Sequence, residues 1–169
     1  TESWQQWLMG VSKKPPQIGT LNEGALHAAL KRHYGGAEAQ FEVPFSGFVA
    51  DVVRDDTIFE IQTSSFSGLE RKMRALADQN PVVLVHPIAA QKNLVRIKDP
   101  ASGDFTRRKS PKKGKLCHIL SELVYLPSLL NHPNFSVEVA LIEEEQHSIY
   151  DPKAHAGVVA VGARGIGIW

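Results

Sequence analysis

The chain has 169 residues, of which 43% are hydrophobic and 22% are charged, and its formal net charge is +1. This size and composition are ordinary for a globular domain with its own core. Because the total charge is nearly neutral, it does not predict whether a binding partner is acidic or basic. No apolar run approaches the ~20 residues needed to span a bilayer, so we expect no membrane partner.

The chain has one cysteine, Cys117, which excludes an intrachain disulfide and a cysteine-based zinc site. The first residues also lack the charged segment and apolar run of a signal peptide. Both observations predict an intracellular, reducing location, in the cytoplasm.

A first helix is predicted from Thr20 to about Tyr34, because Thr20 and Glu23 have capping-box spacing and Gly35-Gly36 can end a helix. Its predicted buried stripe consists of Leu21, Ala25, Ala28 and Ala29. A first strand follows at 40–45.

Two strands, 48–54 and 57–63, are predicted to form a hairpin around a tight turn at Asp55-Asp56. A two-residue turn places Asp51 opposite Glu60, and Gln62 then projects from the same face as Glu60. Both faces of the hairpin are largely apolar, with Ala50 and Val52 predicted on one face and Val53 and Ile58 on the other, which indicates burial.

Opposed carboxylates in such a place are costly unless they are paired or bound to a metal. A divalent cation between Asp51 and Glu60 is the simplest explanation. The alternative is that the two carboxylates mark a solvent-facing side of the hairpin.

A second helix is predicted at 67–79, capped by Ser67 and Glu70 and ended by Asn80-Pro81. Its predicted inward residues are Leu69, Met73 and Leu76, and its predicted outward residues are Arg71, Lys72 and Arg74. The apolar run 82–86 is typical of a buried parallel strand. The order to this point is α-β-β-β-α-β.

Beyond residue 88 we predict a hairpin of 93–99 with 104–108, a basic loop at 107–115, a helix at 116–125, a helical turn at 127–130 and a strand at 135–145. The predicted fold is therefore α/β, with a mixed central sheet flanked by helices. The prediction is a single domain over 1–169, with a core at 18–88, an α+β extension at 89–150 and an unassigned tail at 151–169.

Charge is unevenly distributed along the extension. Residues 92–115 are strongly basic and residues 138–151 are acidic, which predicts a polarised surface. The side chains suited to phosphate contact are Arg107, Arg108, Lys109, Lys112, Lys113 and Lys115. The alternative is a solvated loop. Interleaved aromatic residues are missing, so a stacking platform for single strands is not indicated.

The helix glutamate Glu23, the strand aspartate Asp51 and the Glu60-Ile61-Gln62 motif, in α-β-β-β-α-β order, resemble the PD-(D/E)XK nuclease superfamily. The resemblance covers about residues 18–88 and rests on a short motif. It implies that Asp51, Glu60 and the Ile61 carbonyl coordinate Mg²⁺ or Mn²⁺, with Glu23 reaching the metal. Such a metal lowers the pKa of a bound water and neutralises charge on the phosphate.

The motif departs from the family at two positions. Ala50 stands where the family name has proline, and Gln62 stands where most members have a catalytic lysine. Some members resemble this chain in having glutamine there, and others supply the lysine from the following helix, which makes Lys72 a candidate.

The resemblance therefore implies a metal-dependent deoxyribonuclease, most simply an endonuclease, with Glu23, Asp51, Glu60, Gln62 and Lys72 as its catalytic residues. Two alternatives stay open: a nucleic-acid-binding module with a degenerate site, and an α/β interaction domain that uses Trp4 and Trp7 or the apolar tail. A homodimer is also left open.

Overall fold

The computed structural model describes residues 20–99 and 103–149. The segment with Trp4 and Trp7 and the tail at 151–169 lie outside the described residues, as do the side chains of Leu21 and Glu23. The helices are α1 (Thr20–Gly35), α2 (Glu70–Ala77) and α3 (Leu120–Leu123), with a 3₁₀ turn at Leu116–Ile119 directly before α3. The strands are β1 (Gln40–Phe45), β2 (Phe48–Arg54), β3 (Thr57–Ile61), β4 (Val82–Asp99), β5 (Asp104–Lys109) and β6 (Phe135–Ile149).

The six strands form one mixed sheet in the order β1-β2-β3-β4-β5, with β6 paired to β4. The pairs β1–β2, β2–β3 and β4–β5 are antiparallel, and β3–β4 and β4–β6 are parallel. The protein is thus an α/β protein with the predicted α-β-β-β-α-β order at its start.

The hairpin of β2 and β3 has the predicted register, with Val53 opposite Ile58 and Arg54 opposite Thr57. Asp55 and Asp56 both have positive φ, of 50° and 60°. This is the backbone of the two-residue turn whose twist matches that of antiparallel strands.

Strand β4 has 18 residues and joins the core to the extension. Along one edge it pairs first with β3, over 82–85, and later with β5, over 93–99. Along the other edge it pairs with β6 from Val82 to Ile97. The first part of β4 is therefore an interior strand, which explains its continuous apolar sequence.

Two apolar clusters are packed on the sheet. One contains Met73, Leu76 and Ala77 of α2 with Ala50, Ile58 and Leu84 of the sheet, and it extends to Ile119, Leu126 and Leu129. The other contains Leu30 and Tyr34 of α1 with Val52, Phe59, Ile61 and Val85. The Tyr34 hydroxyl donates a hydrogen bond to Glu138 on β6 (2.5 Å), which ties α1 to the sheet.

The predicted buried stripe of α1 is wrong. Ala25 and Ala28 are exposed and Ala29 is half-buried, whereas Leu30 and Tyr34 are buried. The larger side chains remove more apolar area from water, so they rather than the alanines turn toward the sheet.

The second helix is shorter than predicted, at Glu70–Ala77, and the Ser67–Glu70 capping box is absent. The Glu70 carboxylate instead accepts hydrogen bonds from the amide (3.2 Å) and hydroxyl of Ser128. A contact between residues 58 positions apart replaces the local cap. The predicted inward residues Met73 and Leu76 are fully buried.

The extension needs three corrections. Residues 107–109 form the end of β5 rather than a loop, because they pair with Asn93, Leu94 and Val95 of β4. The helix predicted at 116–125 is only the 3₁₀ turn and α3, whose outer side leaves Leu116 and Leu120 more than half exposed. The strand predicted at 135–145 continues to Ile149 because β4 provides a partner along its whole length.

Candidate functional site

The two predicted ligands meet where the sheet is interrupted. In the described sheet, Asp51 is skipped in the pairing of β2 with β1, and it lies just beyond the last pair of β2 with β3, Val52 opposite Phe59. Its amide donates to Glu60 Oε1 (3.1 Å), and the Ile61 amide donates to Asp51 Oδ2 (3.0 Å). Each carboxylate therefore binds the backbone of the other's strand, and the pair is held close together.

The interruption also changes which face the side chains occupy. By strict alternation Ala50 and Val52 share a face, as the sequence predicted, but Ala50 packs in the cluster with α2 and Val52 in the cluster with α1. The predicted placement of Ala50 beside Val52 is wrong, because regular pairing fails at the residue between them.

Helix α1 brings two basic side chains to Asp51. His27 Nε2 lies 3.2 Å from Asp51 Oδ2, and Lys31 Nζ lies 3.4 Å from Asp51 Oδ1. Lys31 also contacts Glu42 Oε1 at 3.2 Å. Glu42 has a left-handed backbone with φ of 53°, a conformation that is costly for a residue other than glycine.

Helix α2 provides one cation to Glu60. Lys72 Nζ donates to Glu60 Oε2 at 2.6 Å, and the Glu60 side chain is buried. Burial, followed by the nearby Asp51 charge, raises the pKa of Glu60, whereas Lys72 opposes the increase.

Gln62 lies apart from the carboxylates. Its side-chain amide donates to Ser64 Oγ (2.9 Å) and to the Ser65 carbonyl (2.8 Å). Between residues 20 and 99 no hydrogen bond joins this side chain to Asp51 or Glu60. Lys72, the other candidate for the missing lysine, contacts Glu60 instead.

The donor set fits a hard divalent cation. Mg²⁺ usually keeps several waters and uses only one or two protein carboxylates, which Asp51 and Glu60 supply. Among the described side chains, no group of three or more His, Cys, Asp and Glu is arranged to hold a metal. The Glu23 side chain, the predicted additional carboxylate, lies outside that description.

The basic segment follows the same edge of β4 as the site. Gln62 N donates to the Val85 carbonyl (2.9 Å), and Gly114 N donates to the Ala89 carbonyl (2.8 Å). Four strand residues separate these bonds, which is roughly 13 Å at ~3.3 Å per residue. The loop thus occupies the edge of β4 between β3 and β5.

The predicted polarised surface is only partly present. Arg107 pairs with Glu145 (2.8 Å) and Lys92 with Glu144 (3.0 Å), because β5 and β6 flank β4. Five basic side chains of the segment are exposed and form no ion pair within the described parts of the chain: Arg108, Lys109, Lys112, Lys113 and Lys115.

His27, Lys31 and Glu42 were not predicted as site residues from the sequence. A signal for the first two was present, since His27 and Lys31 follow Glu23 at successive intervals of four residues and so share a helix face. Glu42 gave no signal, because its role depends on a backbone conformation that a strand does not normally adopt.

No helix in the described residues has the length and apolar character needed to cross a membrane.

The chain is 33% identical over 140 residues to an uncharacterized protein of Treponema pallidum (strain Nichols), a match that covers 82% of this chain and 55% of the relative. The chain thus spans about half the length of that relative. No solved structure matches significantly. Residues 24–158 match a family described as a domain of unknown function, DUF8091, and the chain belongs to that family.

Proposed function

We propose that this chain is a metal-dependent nuclease of the PD-(D/E)XK type that hydrolyses phosphodiester bonds in DNA. The observation that carries the proposal is the interlocked pair of Asp51 and Glu60, with Lys72 of the following helix on Glu60. These residues are the two acids and the cation that the resemblance requires, and they are held on rigid strands and a helix.

In this proposal Asp51, Glu60 and the Ile61 carbonyl hold Mg²⁺ or Mn²⁺, and Glu23 approaches from α1. When bound, the metal would supply an activated water and neutralise charge on the phosphate. Lys72 would orient that water and stabilise the developing negative charge. Gln62 has a smaller role, because its amide is directed at Ser64 and Ser65.

The exposed basic side chains would contact the DNA backbone at a distance from the carboxylates. Gly114 in the basic segment is attached to β4 roughly 13 Å along the strand from the attachment of Gln62, so these contacts would lie beside the site rather than in it. Arg107 contributes less, because Glu145 already neutralises it.

A second function, a nucleic-acid-binding module that does not cut, is favoured by one observation. The carboxylates of Asp51 and Glu60 are already paired with the ammonium groups of Lys31 and Lys72, and His27 also contacts Asp51. A site that is neutralised without metal can persist as a purely structural cluster.

The experiment that tests the proposal incubates the purified chain with linear, branched and single-stranded DNA in Mg²⁺ or Mn²⁺, with EDTA as the control. The expected result is metal-dependent cleavage of at least one substrate. Salt-sensitive DNA binding without cleavage of any substrate supports the binding module. Absence of both contradicts the two functions together and leaves a protein-interaction domain.

A further inference from the structure

Lys31 is a buried cation placed between two carboxylates of different exposure. Its side chain is 11% exposed, the Asp51 side chain 18% and the Glu42 side chain 75%. A buried lysine is costly unless it is paired, so both contacts contribute to keeping its charge inside the fold. The ammonium lies slightly closer to Glu42, at 3.2 Å, than to Asp51, at 3.4 Å.

The backbone of Glu42 holds this arrangement in place. Glu42 is the β1 residue that regular pairing would place opposite Asp51, yet it has a φ of 53° and is skipped in the β1–β2 register. Such a strained residue persists where its surroundings constrain it, and here its carboxylate contacts Lys31 at 3.2 Å. The interruption of the sheet at Asp51 and the contact of Glu42 with Lys31 are thus parts of one arrangement.

We propose that Lys31 and Glu42 set the metal affinity of the site. Lys31 is the resident counter-cation of Asp51, and it shifts toward Glu42 when a divalent cation binds Asp51. This inference rests on the metal-binding part of the proposed function. Lys31 is a positioning residue in this scheme, because it acts through Asp51.

The charges of Lys31 and Glu42 determine the direction in which each residue changes the metal affinity. A positive charge beside Asp51 repels an incoming cation and competes for the Oδ1 atom, so removing it should tighten metal binding. Glu42 attracts Lys31 away from Asp51 and adds negative charge nearby, so removing its charge should weaken metal binding. The two residues therefore have opposite effects on one measured constant.

The test measures Mn²⁺ binding by calorimetry, without DNA, for the whole chain and three variants. Lys31→Met should lower the dissociation constant by about tenfold or more, since a unit charge a few ångström away has at least that effect. Glu42→Gln should raise the constant. Arg32→Met, which removes an exposed charge from the same helix, should leave it unchanged.

The outcomes separate the inference from the proposed function. Equal Mn²⁺ affinity in the wild type, Lys31→Met and Glu42→Gln overturns the inference but leaves the nuclease standing. A wild type that binds no Mn²⁺ overturns both. If Lys31→Met fails to fold, Glu42→Gln alone decides, because Glu42 is exposed and the substitution preserves its shape; unchanged or tighter binding then contradicts the inference.

Discussion

The two halves of β4 differ in whether the charged side chains beside them are buried and paired or exposed. Over 82–85 the strand lies between β3 and β6, and the charges beside it, Glu60 and Lys72, are paired at 2.6 Å and largely buried. Over 93–99 it lies between β5 and β6, and the basic side chains beside it are exposed. Buried charges here have fixed partners and a defined geometry, whereas exposed charges act mainly through their number and spacing. Changes in the first half should therefore be large and specific, and changes in the second small and roughly additive.

The largest expected effect comes from the buried carboxylates. Asp51→Asn or Glu60→Gln should lower cleavage by at least about a thousandfold, because the metal loses a ligand charge and the water its activation. DNA affinity should change little. Single-turnover cleavage and binding isotherms measure the two quantities, with Asp78→Asn, an exposed carboxylate just after α2, as the control. Equal losses of cleavage and affinity would contradict the separation between the two halves.

Lys72 and Gln62 provide the next comparison. Lys72→Ala should slow cleavage by about a hundredfold to a thousandfold, the cost of removing one donor that stabilises a transition state. Gln62→Ala should cost clearly less, since the amide is bonded to Ser64 and Ser65. The measurement is kcat on a saturating substrate. The reverse order would assign the catalytic role to Gln62 and a structural role to Lys72.

Arg107 and Arg108 are neighbouring arginines beside the second half of β4, and only Arg107 has an ion-pair partner among the residues that the structure describes, so the two can be compared directly. Arg108→Ala should weaken DNA binding and lower the slope of log affinity against log salt by about 0.9, the value for one lost phosphate contact. Arg107→Ala should change both less, because its partner is Glu145. Adding Lys112→Ala and Lys113→Ala to Arg108→Ala should lower the slope further. An unchanged slope would make the segment a solvated loop.

Gly114 is expected to hold the basic segment against the sheet. A Cβ there would contact Ile88 and lie 2.7 Å from the Ala89 carbonyl oxygen, so Gly114→Ala should lower the free energy of unfolding by about 1–3 kcal/mol. Urea unfolding measures this change. Gly24→Ala is the matched control, because a Cβ at that helical site meets nothing within 4 Å, and it should stabilise by about 0.5–1 kcal/mol. Equal effects would contradict the close approach of the loop.

The smallest effect is a dependence of stability on pH. Because the pKa of Glu60 is raised in the folded state, the folded chain retains a proton that the unfolded chain has already released. Stability should therefore fall as the pH rises from the unfolded pKa of Glu60 through its folded pKa. The difference in unfolding free energy between the wild type and Glu60→Gln, measured from pH 4 upward by urea titration, isolates this term; a difference that rises with pH would contradict it.

The local pattern was sufficient to predict the hairpin and the acid pair. Alternating apolar residues and a two-residue Asp55-Asp56 turn determine the register, so the closeness of Asp51 and Glu60 followed from spacing alone. The parallel strand at 82–86 followed likewise from its continuous apolar residues. These features depend on residues that are near one another in the chain.

The features that could not be predicted depend on distant partners. Glu70 binds Ser128 instead of capping α2, and Arg107 lies in a strand because β4 pairs with it. The Lys31 contact with Asp51 requires knowing that α1 crosses the sheet beside β2, which no local pattern specifies. The buried stripe of α1 was wrong for a related reason, since the sheet selects Leu30 and Tyr34 over smaller residues.

Strand β4 also fixes the distance between two segments that are attached to it. The distance between the attachment points of Gln62 and Gly114 is set by the rise of the strand, because Val85 and Ala89 belong to one continuous backbone. Inserting two residues in β4 and two in the matching part of β6 would lengthen this distance by roughly 7 Å while keeping every side chain on its face. Inserting one residue would move the side chains that follow it to the opposite face of the sheet, so the distance can be changed only two residues at a time.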